Sequence, residues 1–104
     1  MSNVIYPNEL EFDEIIAKNE TVFVDFFAAW CGPCKMLAPH IEKLANEYSQ
    51  KFPVLKVDID QQLSLATRYG IQTIPTLVIF KNGQVHHQSV GFQSYDQLKK
   101  LLEY

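Results

Sequence analysis

The sequence lacks the features that mark several broad classes of protein. It has no apolar run that approaches the roughly 18 residues of a membrane-spanning helix. Its 9 basic and 12 acidic residues give a net charge of −3 with no block of like charge, which argues against binding to nucleic acid or an anionic membrane. Residues 1–4 contain no basic segment leading into an apolar one, so no secretory signal is predicted. Taken as written, the sequence predicts a cytoplasmic protein that binds neither nucleic acid nor membrane.

Length and composition are those of a small globular domain. The 104 residues are 47% hydrophobic, enough for one core, and they contain no internal repeat or linker. We therefore predict a single domain over residues 1–104 and expect a monomer. Cysteine is scarce, and in a cytosolic chain two cysteines are more often catalytic than structural.

The two cysteines, Cys31 and Cys34, lie where an apolar strand-like run (21–29) meets a helical run (35–50). In a first helical turn, residues i and i+3 have Cβ atoms roughly 5–6 Å apart. A disulfide needs about 3.5–4.5 Å, so a slight tightening of the turn lets the pair close. The helix N-terminus also carries about half a positive charge, which favours the nucleophilic thiolate. This spacing predicts a reversible redox switch.

Two other interpretations of the cysteine pair are weaker. A structural disulfide stabilises more as the loop that it closes lengthens, and this loop has a two-residue interior. A zinc site needs four ligands, and the other candidates are three histidines, His40, His86 and His87, with no second cysteine pair. We expect these histidines on the surface and predict no metal site.

Apolar periodicity and turn residues predict the element order β-α-β-α-β-α-β-β-α. The predicted strands cover residues 4–6, 21–29, 52–59, 76–80 and 84–90. Helices are expected after caps at Asn8 and Ser94, over 35–50, and before a left-handed cap at Gly70. Strands and helices alternate in the first part of the chain, which implies that these strands pair in parallel. Asn82-Gly83 predicts a hairpin between the last two strands. The fold class is therefore α/β, a mixed sheet with helices on both faces.

Three segments together resemble the thioredoxin family. Residues 26–36, which contain Trp30-Cys31-Gly32-Pro33-Cys34, resemble its active-site segment; residues 69–76 resemble its proline loop and residues 80–83 its hairpin. The resemblance implies a thioredoxin fold, a five-stranded sheet in the order 1-3-2-4-5 flanked by four helices. It also implies general protein-disulfide reduction, with a Cys31–Cys34 disulfide in the oxidised form.

In that activity Cys31, nearest the helix end and exposed by resemblance, is expected to attack, and Cys34 to resolve the mixed disulfide. The resemblance implies no bound cofactor and no metal. Electrons would come from NADPH through a thioredoxin reductase and pass to disulfide-containing proteins such as reductases and peroxiredoxins.

Gly32 and Pro33 are expected to tune the redox pair. Pro33 has no N–H to offer a sulfur and stiffens the turn, although proline also simply begins a helix well. Related oxidases and isomerases typically carry histidine between the cysteines, so its absence favours a reductant. Lys35 could assist the thiolate or be merely solvated.

Asp25 is the only charged residue in the predicted central strand. Burial should raise the pKa of its carboxyl group. By resemblance Asp25 accepts the Cys34 proton, and Lys56 in the neighbouring strand lowers that pKa again. The alternative is a buried ion pair with a purely structural role.

The resemblance also implies that the bond before Pro75 is cis and that an apolar docking surface surrounds the cysteines. The predicted substrate-binding residues are Trp30, Ile59, Thr73, Ile74, Pro75, Gly91 and Phe92. Ordinary packing is the alternative for Ile59 and Thr73. Four positions depart from or vary in the family pattern and bear on substrate range and potential: Phe27, Ala29, Thr73 and Phe92.

Overall fold

Five strands form one mixed sheet, and four helices cover its two faces, in a computed structural model that describes residues 3–103. The strands are β1 (Val4–Ile5), β2 (Thr21–Phe27), β3 (Val54–Asp58), β4 (Thr76–Lys81) and β5 (Gln84–Val90). The helices are α1 (Glu9–Lys18), α2 (Gly32–Tyr48), α3 (Leu63–Arg68) and α4 (Tyr95–Leu101).

Strand β2 lies at the centre of the sheet. It pairs in parallel with β3 and antiparallel with β4, while β1 extends the sheet beyond β3 and β5 beyond β4. The order is therefore β1-β3-β2-β4-β5, as the family resemblance predicted. Because β2 has neighbours on both edges and helices on both faces, its five inner residues, 22–26, are buried.

The two faces of the sheet have separate cores, and the alternation along β2 decides which residue enters which. Phe23 packs under α2 and α4, whereas Val22, Val24 and Phe26 pack under α1 and α3. Alternate residues share a face, so Asp25 points to the same side as Phe23, toward α2. The sheet thus directs its one central carboxylate toward the helix that carries the cysteines.

Several predicted ends were wrong by one to three residues. Strands β1, β2 and β3 are shorter than predicted, and α2 begins at Gly32 rather than at residue 35. At β3, the N–H of Phe52 donates to the carbonyl of Tyr48 (3.0 Å), so Phe52 belongs to the turn that follows α2 and not to the strand. At α2, Cys31 is the N-cap and Cys34 lies in the first turn, which agrees with the prediction that the pair occupies the start of the helix.

The local turn signals were correct. Asn82 and Gly83 connect β4 to β5 with φ values of 53° and 82°, the positive angles that a two-residue hairpin requires. Gly70 follows α3 with φ 64°. Asn8 and Ser94 both form capping boxes. Among residues 3–103, no helix has the length and apolarity needed to cross a bilayer.

Candidate active site

Cys31 and Cys34 form a disulfide at the N-terminus of α2. Cys31 is the N-cap residue, with extended backbone, and its Sγ accepts a hydrogen bond from the N–H of Cys34 at 3.2 Å. The Cα atoms are 5.2 Å apart. This N–H, in the first turn of the helix, and the helix dipole together favour a negative charge on the Cys31 sulfur.

Both cysteines are nearly enclosed in this disulfide form. Cys31 is 5% exposed and Cys34 3%, so the expectation of an exposed Cys31 was wrong. The physical reason is an apolar collar: Ile59 and Ile74 pack against the pair together with Phe27. The surroundings of the Cys31 sulfur are therefore apolar.

Gly32 and Pro33 occupy the first turn of α2 between the cysteines, and both are exposed. Pro33 has no N–H, so the donor that reaches the Cys31 sulfur comes from Cys34. A Cβ at Gly32 would meet no atom within 4 Å, and its φ is not positive. Local structure does not demand glycine there, and the position is open to an approaching chain.

The proline loop reaches the cysteines from the other side. The Ile74–Pro75 peptide bond is cis, as predicted from the resemblance. The carbonyl oxygen of Ile74 lies 4.0 Å from the Cys31 Sγ. The N–H of Gly91, at φ 97°, donates to the Pro75 carbonyl at 2.8 Å. The structure thus brings together two loops that lie sixteen residues apart in the chain.

Trp30 and Phe92 are the exposed aromatics of the rim, at 68% and 41%. The Trp30 indole N–H donates to the Asp60 carboxylate at 2.8 Å, which fixes the ring beside the cysteines. Thr73 is exposed, and its carbonyl accepts a hydrogen bond from the Thr76 hydroxyl. Ile59 is half-buried, and its N–H donates to the Phe27 carbonyl at 2.9 Å, so it both packs and borders the site.

The surroundings of His40, which lies in this region, were not predicted from the sequence. It was expected on the surface but is half-buried: Nδ1 accepts the N–H of Tyr95 at 3.0 Å, and its ring packs edge to face on Phe92, 5.4 Å between centroids. The partners lie over fifty residues away in the chain, and no sequence signal points to them. His86 is exposed and His87 half-buried.

Asp25 is completely buried, and neither carboxylate oxygen has a hydrogen-bond partner. Burial raises its pKa to about 7, against an ordinary 3.8, and the nearby Lys56 charge lowers it by less. Both directions agree with the prediction. Lys56 is the register neighbour of Asp25 in β3 and is 8% exposed. A carboxyl group with such a pKa can take up and release a proton near neutral pH.

A cleft of about 100 Å³ borders Cys34 and Lys56, the β3 neighbour of Asp25. Its lining residues are Phe27, Ala28, Ala29, Cys34, Lys35, Ala38 and Lys56. A water takes about 30 Å³ of liquid volume, so the cleft has room for a short water chain beside Cys34 and Lys56. Within residues 3–103, no three histidine, cysteine or acidic side chains are grouped closely enough to hold a metal ion.

Comparison with known proteins agrees with this geometry. The thioredoxin family model matches residues 3–104. A thioredoxin of Staphylococcus aureus is 41% identical over 100 residues, which cover 96% of this chain and 95% of the relative.

Two solved thioredoxin structures are similar to this chain at nearly the same sequence identity. A mutant thioredoxin from Halobacterium salinarum NRC-1 superposes with a TM-score of 0.88 at 40% identity, covering 96% of this chain and 88% of the other. Thioredoxin from Plasmodium falciparum gives 0.88 at 39% identity, covering 95% and 96% of the two chains. Since sequence, fold and the cysteine geometry agree over nearly the whole length, the chain belongs to the thioredoxin family and is a thiol-disulfide oxidoreductase with Cys31 and Cys34 as its redox pair.

Proposed function

We propose that the protein is a general protein-disulfide reductase in which Cys31 attacks the substrate and Cys34 resolves the mixed disulfide. The observation that carries this assignment is the hydrogen bond from the Cys34 N–H to the Cys31 Sγ. Cys31 as N-cap faces the positive end of α2, whereas Cys34 lies within the first turn. The Cys31 thiolate is therefore the better stabilised of the two.

The reaction moves two electrons from the dithiol to the substrate disulfide. The Cys31 thiolate attacks one substrate sulfur, a Cys31–substrate disulfide forms, and the other substrate sulfur leaves as a thiolate that takes up a proton. Cys34 then loses its proton, attacks the Cys31 Sγ and closes the Cys31–Cys34 disulfide. The second substrate sulfur departs as a thiolate that takes up a proton from solvent, so the substrate is fully reduced.

Asp25 is proposed to take the Cys34 proton, with Lys56 adjusting its affinity. A carboxyl group with a pKa of about 7 is half-ionised at neutral pH and able to accept a proton. The cleft that borders Cys34 and Lys56 supports a route through water. Burial without a hydrogen-bond partner supports this role over a structural ion pair, since no described contact holds the carboxylate in place.

The proposed docking surface is the apolar rim around the disulfide. An extended substrate segment would lie along the backbone of the proline loop, in the manner of strand addition, with side chains against the rim. The residues proposed to form it are Trp30, Ile59, Thr73, Ile74, Pro75, Gly91 and Phe92. The exposure of Trp30, Thr73 and Phe92 supports this assignment, as does the contact of Ile59 and Ile74 with the redox pair.

The remaining parts of the proposal follow from the family. The oxidised protein would be recharged by thioredoxin reductase with NADPH and would donate electrons to reductases and peroxiredoxins. We propose that it acts in the cytoplasm as a single-domain monomer. Family members that work as oxidases or isomerases, and a non-redox binding subunit, are the competing functions that an assay has to separate.

The test is reduction of insulin disulfides with NADPH and a thioredoxin reductase. Wild type should turn over, and Cys31→Ser and Cys34→Ser should both lose turnover. Cys34→Ser should in addition retain substrate as a mixed disulfide with Cys31, visible by mass spectrometry. Ala17→Ser is the matched control, since it introduces a hydroxyl on the exposed surface of α1, away from the redox pair, and removes no sulfur.

Retained turnover in either cysteine variant would contradict the proposal. No turnover in wild type, even after reduction with dithiothreitol, would favour the binding-subunit function. Activity only after dithiothreitol would keep the chemistry and contradict the proposed reductase partner. A measured redox potential separates a reductant from an oxidase or isomerase.

A further inference from the structure

Lys56 is buried in an unusual setting for a lysine. Lys56 is 8% exposed, and its ammonium group lies over two aromatic rings. Nζ is 4.4 Å from the ring centroid of Phe27 and 5.8 Å from that of Tyr6. Both distances are within the roughly 6 Å at which a ring face attracts a cation. The two rings are themselves in edge contact, with centroids 6.2 Å apart.

The sheet explains why Tyr6 reaches this lysine. Val4 and Ile5 of β1 pair with Val54 and Leu55 of β3. The residues that follow these pairs, Tyr6 and Lys56, therefore lie side by side. Val4 packs under α2, and Tyr6, two residues on, faces the same side. The ring is 60% exposed, so it covers the lysine from the solvent side without being part of the core.

The charged and titratable groups around this lysine come from three elements. Asp25 lies beside it on β2, Asp58 ends the same strand β3, and α2 contributes Lys35 to the cleft and Glu42 near Tyr6. Partial burial raises the pKa of the Tyr6 phenol, and the charges of Glu42 and Asp25 raise it further. The phenol is therefore within electrostatic reach of the buried carboxylate.

We propose that Tyr6 is a positioning residue for the thiol–disulfide reaction, because its ring and that of Phe27 hold the Lys56 ammonium beside Asp25 instead of letting it turn out to solvent. The proposal rests on the role of Asp25 as proton acceptor given above. Lysine has a long flexible stem and a strongly hydrated head, so without a ring on its outer side the ammonium gains by moving into water. The carboxylate would then lose the one charge that favours its ionised form.

The test is a titration of the Asp25 carboxyl group by carbon-13 NMR in the oxidised protein. The strength of an exposed cation–π contact limits the resulting rise in the pKa of Asp25 to about 0.4 to 0.7. Tyr6→Leu should show that rise, and the pH midpoint of the Cys34 resolving step should move with it. Tyr6→Phe is the matched control: it keeps the ring, removes the hydroxyl and should titrate as wild type does.

A double-mutant cycle shows whether Tyr6 acts through the lysine. In a Lys56→Met background, or Lys56→Gln if the first does not fold, Tyr6→Leu should have no further effect on the pKa of Asp25. An unchanged pKa in Tyr6→Leu alone, or an equal rise in both backgrounds, would overturn the proposal.

The role of Asp25 itself is tested separately. If Asp25→Asn resolves the mixed disulfide at the wild-type rate across the pH range, the proton-acceptor assignment fails. The titrations of the Tyr6 variants still decide whether the two rings hold Lys56, since they read the carboxyl group and not turnover.

Discussion

Replacing the buried carboxylate should change how the stability of the protein depends on pH. Asp25 is 0% exposed, and both of its oxygens are without partners. Its pKa is about 7 in the folded protein against 3.8 ordinarily. Between those values the folded state holds a proton that the unfolded state has released. The free energy of unfolding therefore falls as the pH rises through this window.

The size of the effect follows from the difference in pKa. Roughly three pH units at about 1.4 kcal/mol each amount to about 4 kcal/mol. This contribution is fully present below pH 3.8, declines toward pH 7 and is constant above it, where both states are ionised. Asp25→Asn keeps the shape of the side chain and cannot ionise, so it lacks this dependence.

The assay is urea unfolding of the oxidised protein at several pH values between 4 and 9. The measured quantity is the free energy of unfolding of wild type minus that of Asp25→Asn, because the titration of the other groups cancels in this difference. It should fall by about 4 kcal/mol across the window. Asp96→Asn is the control, because the Asp96 side chain is 86% exposed, and its difference from wild type should stay nearly flat. A wild-type advantage over Asp25→Asn that is constant or grows as the pH rises would refute the reasoning.

Two further predictions concern a loop and a surface contact. Gly91→Ala should lower the free energy of unfolding in urea by about 1–2 kcal/mol, because φ is 97° at this position; the strain is conformational, since no atom lies within 4 Å of an added Cβ. Gly32→Ala is the control, because φ is not positive there, and its stability should be close to that of wild type. Equal losses in the two variants would contradict this prediction. Arg68→Leu removes the exposed ion pairs to Asp13 (2.5 Å) and Glu9 (3.6 Å). Thermal unfolding should therefore show a loss of stability below about 1 kcal/mol. A loss above about 2 kcal/mol would contradict the view that these are ordinary surface ion pairs.

Much of the fold was predictable because its signals are local. The capping boxes at Asn8 and Ser94 and the Asn82–Gly83 turn depend on residues a few positions apart. The ends of strands were less predictable, since hydrogen bonding and not composition decides where pairing stops. Phe52 is as apolar as any strand residue, yet it bonds back to Tyr48.

The redox pair could be predicted from the sequence because both cysteines lie in one helical turn, and the direction of the Asp25 pKa followed from one charge in an apolar strand. The cis bond at Pro75 and the strand order came from family resemblance. The enclosure of Cys31, the bond from Tyr95 to His40 and the rings around Lys56 were decided by tertiary structure alone. Apart from the contact of Phe27 with Cys31, those contacts join residues 28 to 55 positions apart, and only the packing of helices on a folded sheet sets their distances.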